Sequence, residues 1–311
     1  MDTVGRVTAE DREEDTGPEF TPESTAAVLA EAAGAVGIDA GGAWLLRLGS
    51  NAVYRLAAPV VARISRPGHL DEVRRTVAVG RWLASEDYPA VRALDVEQPV
   101  VVDGLAVSFW EAVSDDGDVY ATAGEVADVL LRLHALTPPD SLELPAFEPL
   151  GSIERRIVVN DWLSDADRTF LMGRLIDART RYSRVTFALP QGVIHGDANV
   201  GNVLHDRAGH PVVIDLDGFA IGPREWDLIQ TAIFFDRFGW HTEDEYRTFA
   251  KTYGFDIMQW PGYPVLRDIR ELHMVSWLVQ NASGDEQTAA EAEKRISALR
   301  TGASRRDWLP Y

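Results

Sequence analysis

The chain has 311 residues, 46% of them hydrophobic, which is enough to bury a core in one large domain or two modest ones. Its net charge of -19 disfavours nucleic acid and anionic membrane surfaces as partners, and the absence of cysteine excludes disulfides, thiolate catalysis and cysteine-zinc sites. No apolar run is long enough to cross a membrane, and the acidic first residues are unlike a secretory signal, so we expect a cytoplasmic protein without a membrane partner.

Residues 1–20 are polar, charged and aperiodic, and this pattern predicts a disordered acidic tail. At Thr21 a capping residue followed by proline and small apolar residues predicts the start of a helix. A second helix is predicted over 70–85, where apolar residues recur on one helical face. Short apolar or β-branched segments between turn-forming residues predict antiparallel strands at 44–48, 53–57, 59–65, part of 91–102 and 105–110.

The pattern changes after a short acidic link that ends near residue 118. Helices are predicted at 122–136, 150–163 and 165–182. One strand pair interrupts them, at 202–205 and 211–215, joined by the turn Asp206-Arg207-Ala208-Gly209. We therefore expect an α+β fold, with an N-lobe over 21–110 built on a small antiparallel sheet and a larger, α-helical C-lobe over 111–311.

Residues 194–202 read Ile-His-Gly-Asp-Ala-Asn-Val-Gly-Asn, an apolar strand end followed by His-Gly-Asp-x4-Asn. Phosphoryl transfer needs a carboxylate that accepts the proton of the attacking hydroxyl and oxygen ligands for magnesium. Asp197 fits the role of base, and Asn202, five residues later, fits that of metal ligand. Asp215, in Val-Ile-Asp-Leu-Asp-Gly at 213–218, supplies a second metal-binding oxygen. The structural alternative is that His195 packs in a core, Gly196 makes a turn and Asp215 caps a strand.

Three segments, His195–Asn202, Val213–Gly218 and Gly222–Leu228, resemble the signature of the aminoglycoside phosphotransferase and choline kinase-like superfamily, whose bilobal fold is similar to that of eukaryotic protein kinases. The resemblance implies an ATP-dependent enzyme in which Asp197 is the catalytic base and Asn202 and Asp215 bind magnesium. It also implies that Asp227 is a buried support for the catalytic loop. The alternative for Asp227 is an ordinary cap at a helix start.

The nucleotide side departs from the kinase pattern. The turn expected over the phosphates has one glycine and two small polar residues, Gly49, Ser50 and Asn51, and the position of the phosphate-binding lysine is occupied by Arg63. Arginine stays charged and binds phosphate oxygens bidentately, so we expect Arg63 to bind the phosphates of ATP in place of the lysine. The resemblance further implies that the Trp110 carbonyl and the Ala112 amide meet the adenine edge.

The acid that should pair with Arg63 is not fixed by the sequence. The expected position is occupied by Thr76, and Glu72 lies one turn earlier on the same face of the predicted helix. Glu72 is either a shifted partner of Arg63 or an ordinary solvated charge, and the neighbouring Asp71 is a further candidate.

The acceptor is expected to bind among the helices that follow Asp227. Aromatic rings and carboxylates there suit a hydroxyl-bearing cation through ion pairing and cation-π contact, although rings at helical spacing also build cores. His273 is expected to be structural. The candidate residues are Phe234, Phe235, Asp236, Phe238, Trp240, Trp260, Tyr263, Asp268, Glu271, His273 and Trp277.

These patterns favour an ATP-dependent O-phosphotransferase that acts on a small, cationic hydroxyl compound such as an aminoglycoside, another antibiotic or an amino- or sugar-alcohol metabolite. The alternative is a degenerate kinase that serves as a nucleotide-binding regulatory module, which the departures at Arg63 and Thr76 and the single glycine of the turn, Gly49, would allow. A protein kinase is disfavoured because no Ala-Pro-Glu motif follows Asp215. The residues do not distinguish ATP from GTP, and they do not indicate an oligomeric state.

Overall fold

The computed structural model describes residues 20–114 and 119–310, so the tail predicted over 1–20 lies, apart from Phe20, outside the described residues. The chain forms two compact units. The first comprises the described residues up to Val77 together with Arg92–Ala112, and the second comprises Ala78–Val91 and the described residues from Val113 onward. Residues 78–91 therefore group with the second unit, although the sequence boundaries placed them in the N-lobe.

The first unit is a helix packed on an antiparallel sheet. Helix α1 (Pro22–Ala35) is preceded by the N-cap residue Thr21, whose side chain accepts a hydrogen bond from the Ser24 amide in a capping box. The strand order is β1-β2-β3-β5-β4. The strands are β1 (Trp44–Leu48), β2 (Asn51–Arg55), β3 (Val60–Ser65), β4 (Val100–Val102) and β5 (Leu105–Glu111), and helix α2 (Leu70–Ser85) starts in this unit.

Alternation along β3 decides which side chains enter the core of the first unit. Ala62 and Ile64 are fully buried in the cluster beneath α1, whereas Val61 and Arg63 point to the opposite, half-buried face. The period of two therefore places the Arg63 side chain on the face of the sheet that α1 does not cover.

The second unit is mostly helical. Its helices are α3 (Ala123–Leu133), α4 (Gly151–Val158), α5 (Asp165–Tyr182), α6 (Glu225–Ile233), α7 (Glu243–Tyr253), α8 (Tyr263–Asn281) and α9 (Glu286–Thr301). Its strands form two antiparallel pairs, β6 (Gln191–Ile194) with β9 (Ala220–Pro223), and β7 (Val203–His205) with β8 (Pro211–Val213). Every residue of α6 is buried, so this helix runs through the interior of the unit.

The predicted α+β fold is confirmed, with differences at element ends. Strand β2 starts two residues earlier than expected because Asn51 pairs with Ser65 across the sheet. Helix α4 ends at Val158 rather than 163, and the Asn160 side chain there accepts from the Trp162 amide, which stabilises a turn. Within residues 20–114 and 119–310, none of the helices combines the length and apolar character that a membrane span requires.

Candidate active site

Strand pairing brings the two chemical motifs of the second unit together. In the β6–β9 pair, Ile194 at the end of one strand lies opposite Ala220 at the start of the other. The segments just beyond these residues, His195–Asp197 and Asp215–Gly218, therefore emerge at the same end of the pair. In the β7–β8 hairpin the Ile214 amide donates to the Asn202 carbonyl at 3.0 Å, which sets Asn202 beside the strand that leads to Asp215.

A close backbone approach joins these two segments. Gly196 has a φ of +86°, and a Cβ at this position would lie 2.4 Å from the Gly218 carbonyl oxygen. A Cβ at Gly218 would in turn lie 2.7 Å from the His195 carbonyl oxygen. Real Cβ atoms do not approach backbone so closely, so both positions require glycine.

Asp227 holds the backbone of the loop that carries Asp197. Its carboxylate is 1% exposed and accepts hydrogen bonds from the His195 amide at 2.7 Å, the Gly196 amide at 2.8 Å and His134 Nε2 at 3.0 Å. Burial by itself raises the pKa of Asp227, but the hydrogen bond and charge of His134 and the His195 contacts outweigh it and hold the pKa below its ordinary value. The arrangement is the buried support expected from the resemblance and more than a helix cap.

Two further contacts fix the same loop. The indole N–H of Trp226 donates to the Gly196 carbonyl at 2.8 Å. The His195 ring lies between the motifs, with Nε2 2.9 Å from the Ile214 carbonyl and Nδ1 3.3 Å from the Asp197 amide. These partners assign the proton to Nε2, because a carbonyl needs a donor and an amide needs an acceptor. The His195 ring is buried, in agreement with the interpretation that it packs in a core. It also contacts both motifs, through the Ile214 carbonyl and the Asp197 amide.

Asp197 is held at both carboxylate oxygens. Oδ1 accepts a hydrogen bond from the Arg270 guanidinium, and Oδ2 accepts from Asn202 Nδ2 at 3.2 Å. The Asp197 side chain remains 46% exposed, so the carboxylate is fixed and still accessible. This combination of a positioned acceptor oxygen and open access is what a general base requires.

The oxygen donors fit a magnesium ion. Asn202 Nδ2 donates to the Asp197 carbonyl at 2.8 Å as well as to its carboxylate, which leaves Asn202 Oδ1 for another partner. Asp215 has a φ of +59°, a left-handed conformation that is uncommon outside glycine and concentrates at functional sites. The described residues contain no cluster of three or more histidine, aspartate or glutamate side chains that could form a metal cage. Amide and carboxylate oxygens of this kind, one or two from the protein with the rest from substrate phosphates, are the ligands that magnesium prefers.

The nucleotide candidates lie in the first unit. Gly49 and Ser50 form the turn between β1 and β2, and Asn51 is the first residue of β2 rather than part of the turn. The Gly49 carbonyl accepts from Arg66 at 3.0 and 3.3 Å. Arg63 stands directly opposite Val53 on the neighbouring strand, on the half-buried face of the sheet.

The two backbone groups assigned to adenine lie at the end of β5. Trp110 pairs with Val61 on β3, and its indole N–H donates to the Ser108 hydroxyl at 2.9 Å. The Ala112 amide donates to the Pro59 carbonyl at 2.9 Å. The adenine role of Ala112 thus stays a prediction, and it requires this hydrogen bond to be exchanged for one to the base.

The carboxylates considered as partners of Arg63 have other contacts. Glu72 lies 2.6 Å from His69 Nδ1, and Asp71 lies 3.0 Å from Arg74. The Thr76 hydroxyl donates to the Glu72 carbonyl at 3.0 Å and is buried. The interpretation of Glu72 as a solvated helix charge agrees with its 63% exposed side chain.

The acceptor candidates are mostly engaged in packing or ion pairs. Glu271 bridges Arg237 at 2.7 Å and Arg305 at 3.2 Å, and Asp268 contacts Arg181 and Arg267, each at 2.9 Å. Asp236 accepts from the Tyr263 hydroxyl at 2.9 Å. Phe234, Phe238, Trp260 and Tyr263 are buried, Phe235 and Trp240 are half-buried, and Trp277 is 41% exposed.

The structural role of His273 stays a prediction, and the surroundings of its ring agree with it. Burial, followed by the positive charges of Arg270 and Arg156, lowers its pKa well below the ordinary value. The imidazole is therefore neutral at pH 7, and its Nε2 lies 3.4 Å from the Ser152 hydroxyl.

Sequence reasoning missed four residues around the loop: His134, Trp226, Gln230 and Arg270. A partial signal was present for two of them, because Trp226 adjoins Asp227 in the recognised segment Gly222–Leu228 and Gln230 lies one helical turn later on the same face. His134 and Arg270 carried none, since they are 93 and 43 residues from Asp227 along the chain and meet it or its neighbours only in the fold.

Comparisons with known proteins identify the family and the fold. A model of the phosphotransferase enzyme family matches residues 46–269. A comparison with curated proteins gave no match.

Among solved structures, an amicoumacin kinase in complex with AMP-PNP, Ca2+ and Ami is similar at a TM-score of 0.71, with 12% identity over 93% of this chain and 96% of that one. A spectinomycin phosphotransferase in complex with ADP and spectinomycin gives a TM-score of 0.62 and 14% identity over 91% and 95%. A choline kinase from Streptococcus pneumoniae gives a TM-score of 0.61 and 12% identity over 89% of this chain and 99% of that one. At these identities the solved structures establish the protein-kinase-like fold, while the family match extends over most of the chain; the chain belongs to the phosphotransferase enzyme family and is a small-molecule kinase.

Proposed function

We propose that this kinase transfers the γ-phosphate of ATP to a hydroxyl group of a small molecule, with Asp197 as the general base. The observation that carries the proposal is the convergence of Asp197, Asn202 and the Ile214–Asp215 segment at one end of the β6–β9 pair. A half-exposed carboxylate lies there beside oxygen donors that suit magnesium.

Different residues are proposed for the different roles in the reaction. Asp197 accepts a hydrogen bond from the acceptor hydroxyl, orients its oxygen for in-line attack and takes up its proton. Asn202 and Asp215 would hold magnesium, which when bound supplies positive charge to the phosphate oxygens. Gly49, Ser50, Asn51 and Arg63 are proposed for the phosphates of ATP, and the Trp110 carbonyl and Ala112 amide for adenine. The solved neighbours that carry AMP-PNP with Ca2+, or ADP, support a nucleotide and a divalent ion in this fold.

The acceptor is proposed to be cationic: an aminoglycoside, another antibiotic, or an amino- or sugar-alcohol metabolite. The support is the net charge of -19, which attracts cations at long range. Local ion pairing is a weaker support, because Asp268 and Glu271 already have arginine partners.

An acceptor screen tests the proposal. ADP release is measured with magnesium, ATP and a panel of hydroxyl compounds that includes cationic antibiotics, amino-alcohols, and neutral and anionic sugars. The expected result is acceptor-dependent ADP release, stopped by chelation of the divalent ion. Stabilisation of the fold by ATP without ADP release across the panel would favour the nucleotide-binding regulatory module instead.

A further inference from the structure

The Asp197 side chain is bound by a residue that the catalytic motif does not contain. Arg270 lies on α8, 73 residues after Asp197, and one terminal nitrogen of its guanidinium donates both to Asp197 Oδ1 and to Gln230 Oε1. Its side chain is 7% exposed, whereas that of Asp197 is 46% exposed. The buried member of the pair is therefore the arginine, and the accessible member is the carboxylate.

Arg270 is itself fixed from α6. Its guanidinium carbon lies 5.6 Å from the centre of the Trp226 ring, and Gln230 holds the same nitrogen that reaches Asp197. Trp226 and Gln230 are four residues apart and share a face of α6. Because Trp226 and Gln230 both contact the Arg270 guanidinium, α6 holds it in a defined position.

The loop and the side chain of Asp197 are thus controlled separately. Asp227 and Trp226 bind the backbone at His195 and Gly196, and this places the Cα of the next residue but leaves its side-chain torsions free. Arg270 and Asn202 bind one carboxylate oxygen each and so determine which lone pairs face the acceptor. A half-exposed carboxylate without these partners would sample several rotamers, and small misplacements of a reacting group cost about 100-fold in rate.

We propose that Arg270, held by Gln230, is a positioning residue that orients the Asp197 carboxylate for proton abstraction and does not itself contact the acceptor or ATP. The proposal rests on the assigned phosphotransferase function. The proposal adds no chemical step: the proton still passes from the acceptor hydroxyl to Asp197, and Arg270 takes no part in the transfer.

Steady-state kinetics of Arg270→Gln, Arg270→Lys and Gln230→Leu test the proposal, with Arg305→Gln as the matched control. Arg305 is also a buried arginine paired with an acid, Glu271, and its other contacts are with Ala298, Ala303 and Trp308 rather than with the Asp197 loop. We expect Arg270→Gln to lower kcat by about 100-fold with the KM values for ATP and acceptor within about twofold. Arg270→Lys should recover most of the loss, Gln230→Leu should lose less than Arg270→Gln, and Arg305→Gln should keep the parent kcat. A raised acceptor KM with unchanged kcat would show that Arg270 binds substrate and would overturn the proposal.

A double-mutant cycle supplies a second test that does not need turnover. The urea midpoints of Asp197→Ala, Arg270→Gln and the double variant are compared with that of the parent. We expect the double variant to lose much less than the sum of the single losses, because each single variant already breaks the pair. Additive losses would show that the pair is not formed in solution and would contradict the proposal. If the parent shows no acceptor-dependent turnover, the phosphotransferase function fails, while the cycle still decides whether Arg270 and Asp197 are coupled.

Discussion

Gly196 shows how a single residue sets the geometry of the candidate site. Its positive φ and the nearby Gly218 carbonyl mean that a side chain there would be strained twice, once by the backbone conformation and once by the contact. The residue before Asp197 must therefore be glycine if the two motifs are to lie side by side.

We expect Gly196→Ala to lower the free energy of unfolding by about 2 to 5 kcal/mol, the sum of the left-handed and overpacking costs, and to reduce turnover. Gly209→Ala is the matched control, since Gly209 has a φ of +81° but nothing within 4 Å of its Cβ position. For the control, urea unfolding should show a loss of only about 1 to 2 kcal/mol in the free energy of unfolding. Equal losses in the two variants would show that the close approach to Gly218 carries no energy.

At the same scale, local sequence patterns nominate reactive groups but not the distant side chains that contact them. Asp197, Asn202 and Asp215 were assigned from residue type and spacing together with the family resemblance, because the reaction requires a carboxylate and metal-binding oxygens close together. Arg270 and His134 could not be assigned in this way, because a buried charge from a distant helix leaves no local pattern.

At the scale of elements, α6 organises the loop that carries Asp197. One turn of this buried helix carries Trp226, Asp227 and Gln230, which contact the loop or the arginine that holds Asp197. Behind Asp227, His134 at the end of α3 links it to the Tyr253 hydroxyl of α7, 2.7 Å from His134 Nδ1. Burial also raises the pKa of Tyr253, so its hydroxyl stays protonated at pH 7.

The variant Asp227→Asn tests how much the contacts of the Asp227 carboxylate with the loop contribute. An amide in place of the carboxylate turns a donor toward one of the backbone amides, so we expect a loss of about 3 to 5 kcal/mol in the free energy of unfolding, as for a broken buried pair. Turnover should fall together with stability. The measurement is urea unfolding of the parent and the variant over a range of pH.

The pH dependence has a definite sign. The folded pKa of Asp227 lies below its ordinary value of 3.8, so the carboxylate stabilises the fold fully above that value and loses this contribution as the pH falls through the folded pKa. On the acid side, the stability difference between parent and Asp227→Asn should therefore shrink as the pH falls below about 4. A difference that grows on acidification would contradict the lowered pKa.

The secondary elements were largely predictable, and their ends less so. Alternation identified the strands of the first unit, but the start of β2 depended on pairing of Asn51 with Ser65. The grouping of residues 78–91 with the second unit was not visible either, since it depends on contacts such as the Tyr88 hydroxyl with the Val129 carbonyl at 3.0 Å.

At the scale of the whole molecule, charge is the main property that bears on the acceptor. The net charge of -19 acts at a distance, whereas the local acids near the helices after Asp227 are largely paired with arginine. A long-range field is screened by salt, while a contact ion pair in a buried site is screened much less.

We therefore expect a cationic acceptor to have a lower KM than a neutral acceptor with the same hydroxyl arrangement at low salt. This advantage should shrink as the ionic strength rises from about 0.01 to about 0.5 M, because the Debye length falls across that range. The measurement is acceptor KM against salt for such a matched pair. An advantage independent of salt would indicate contact pairing instead, and no advantage at all would contradict the cationic acceptor.

The central claim is that Asp197 supports transfer of the γ-phosphate of ATP to a hydroxyl. The most direct measurement follows a label in the γ-phosphate into the acceptor that gives ADP release, with the parent protein, Asp197→Asn, and Asp206→Ala as a control on the nearby turn. The account predicts labelled phosphate ester with the parent and the control, and a loss of about 100-fold or more with Asp197→Asn. Label found only as free phosphate, or transfer by Asp197→Asn at the parent rate, would contradict it.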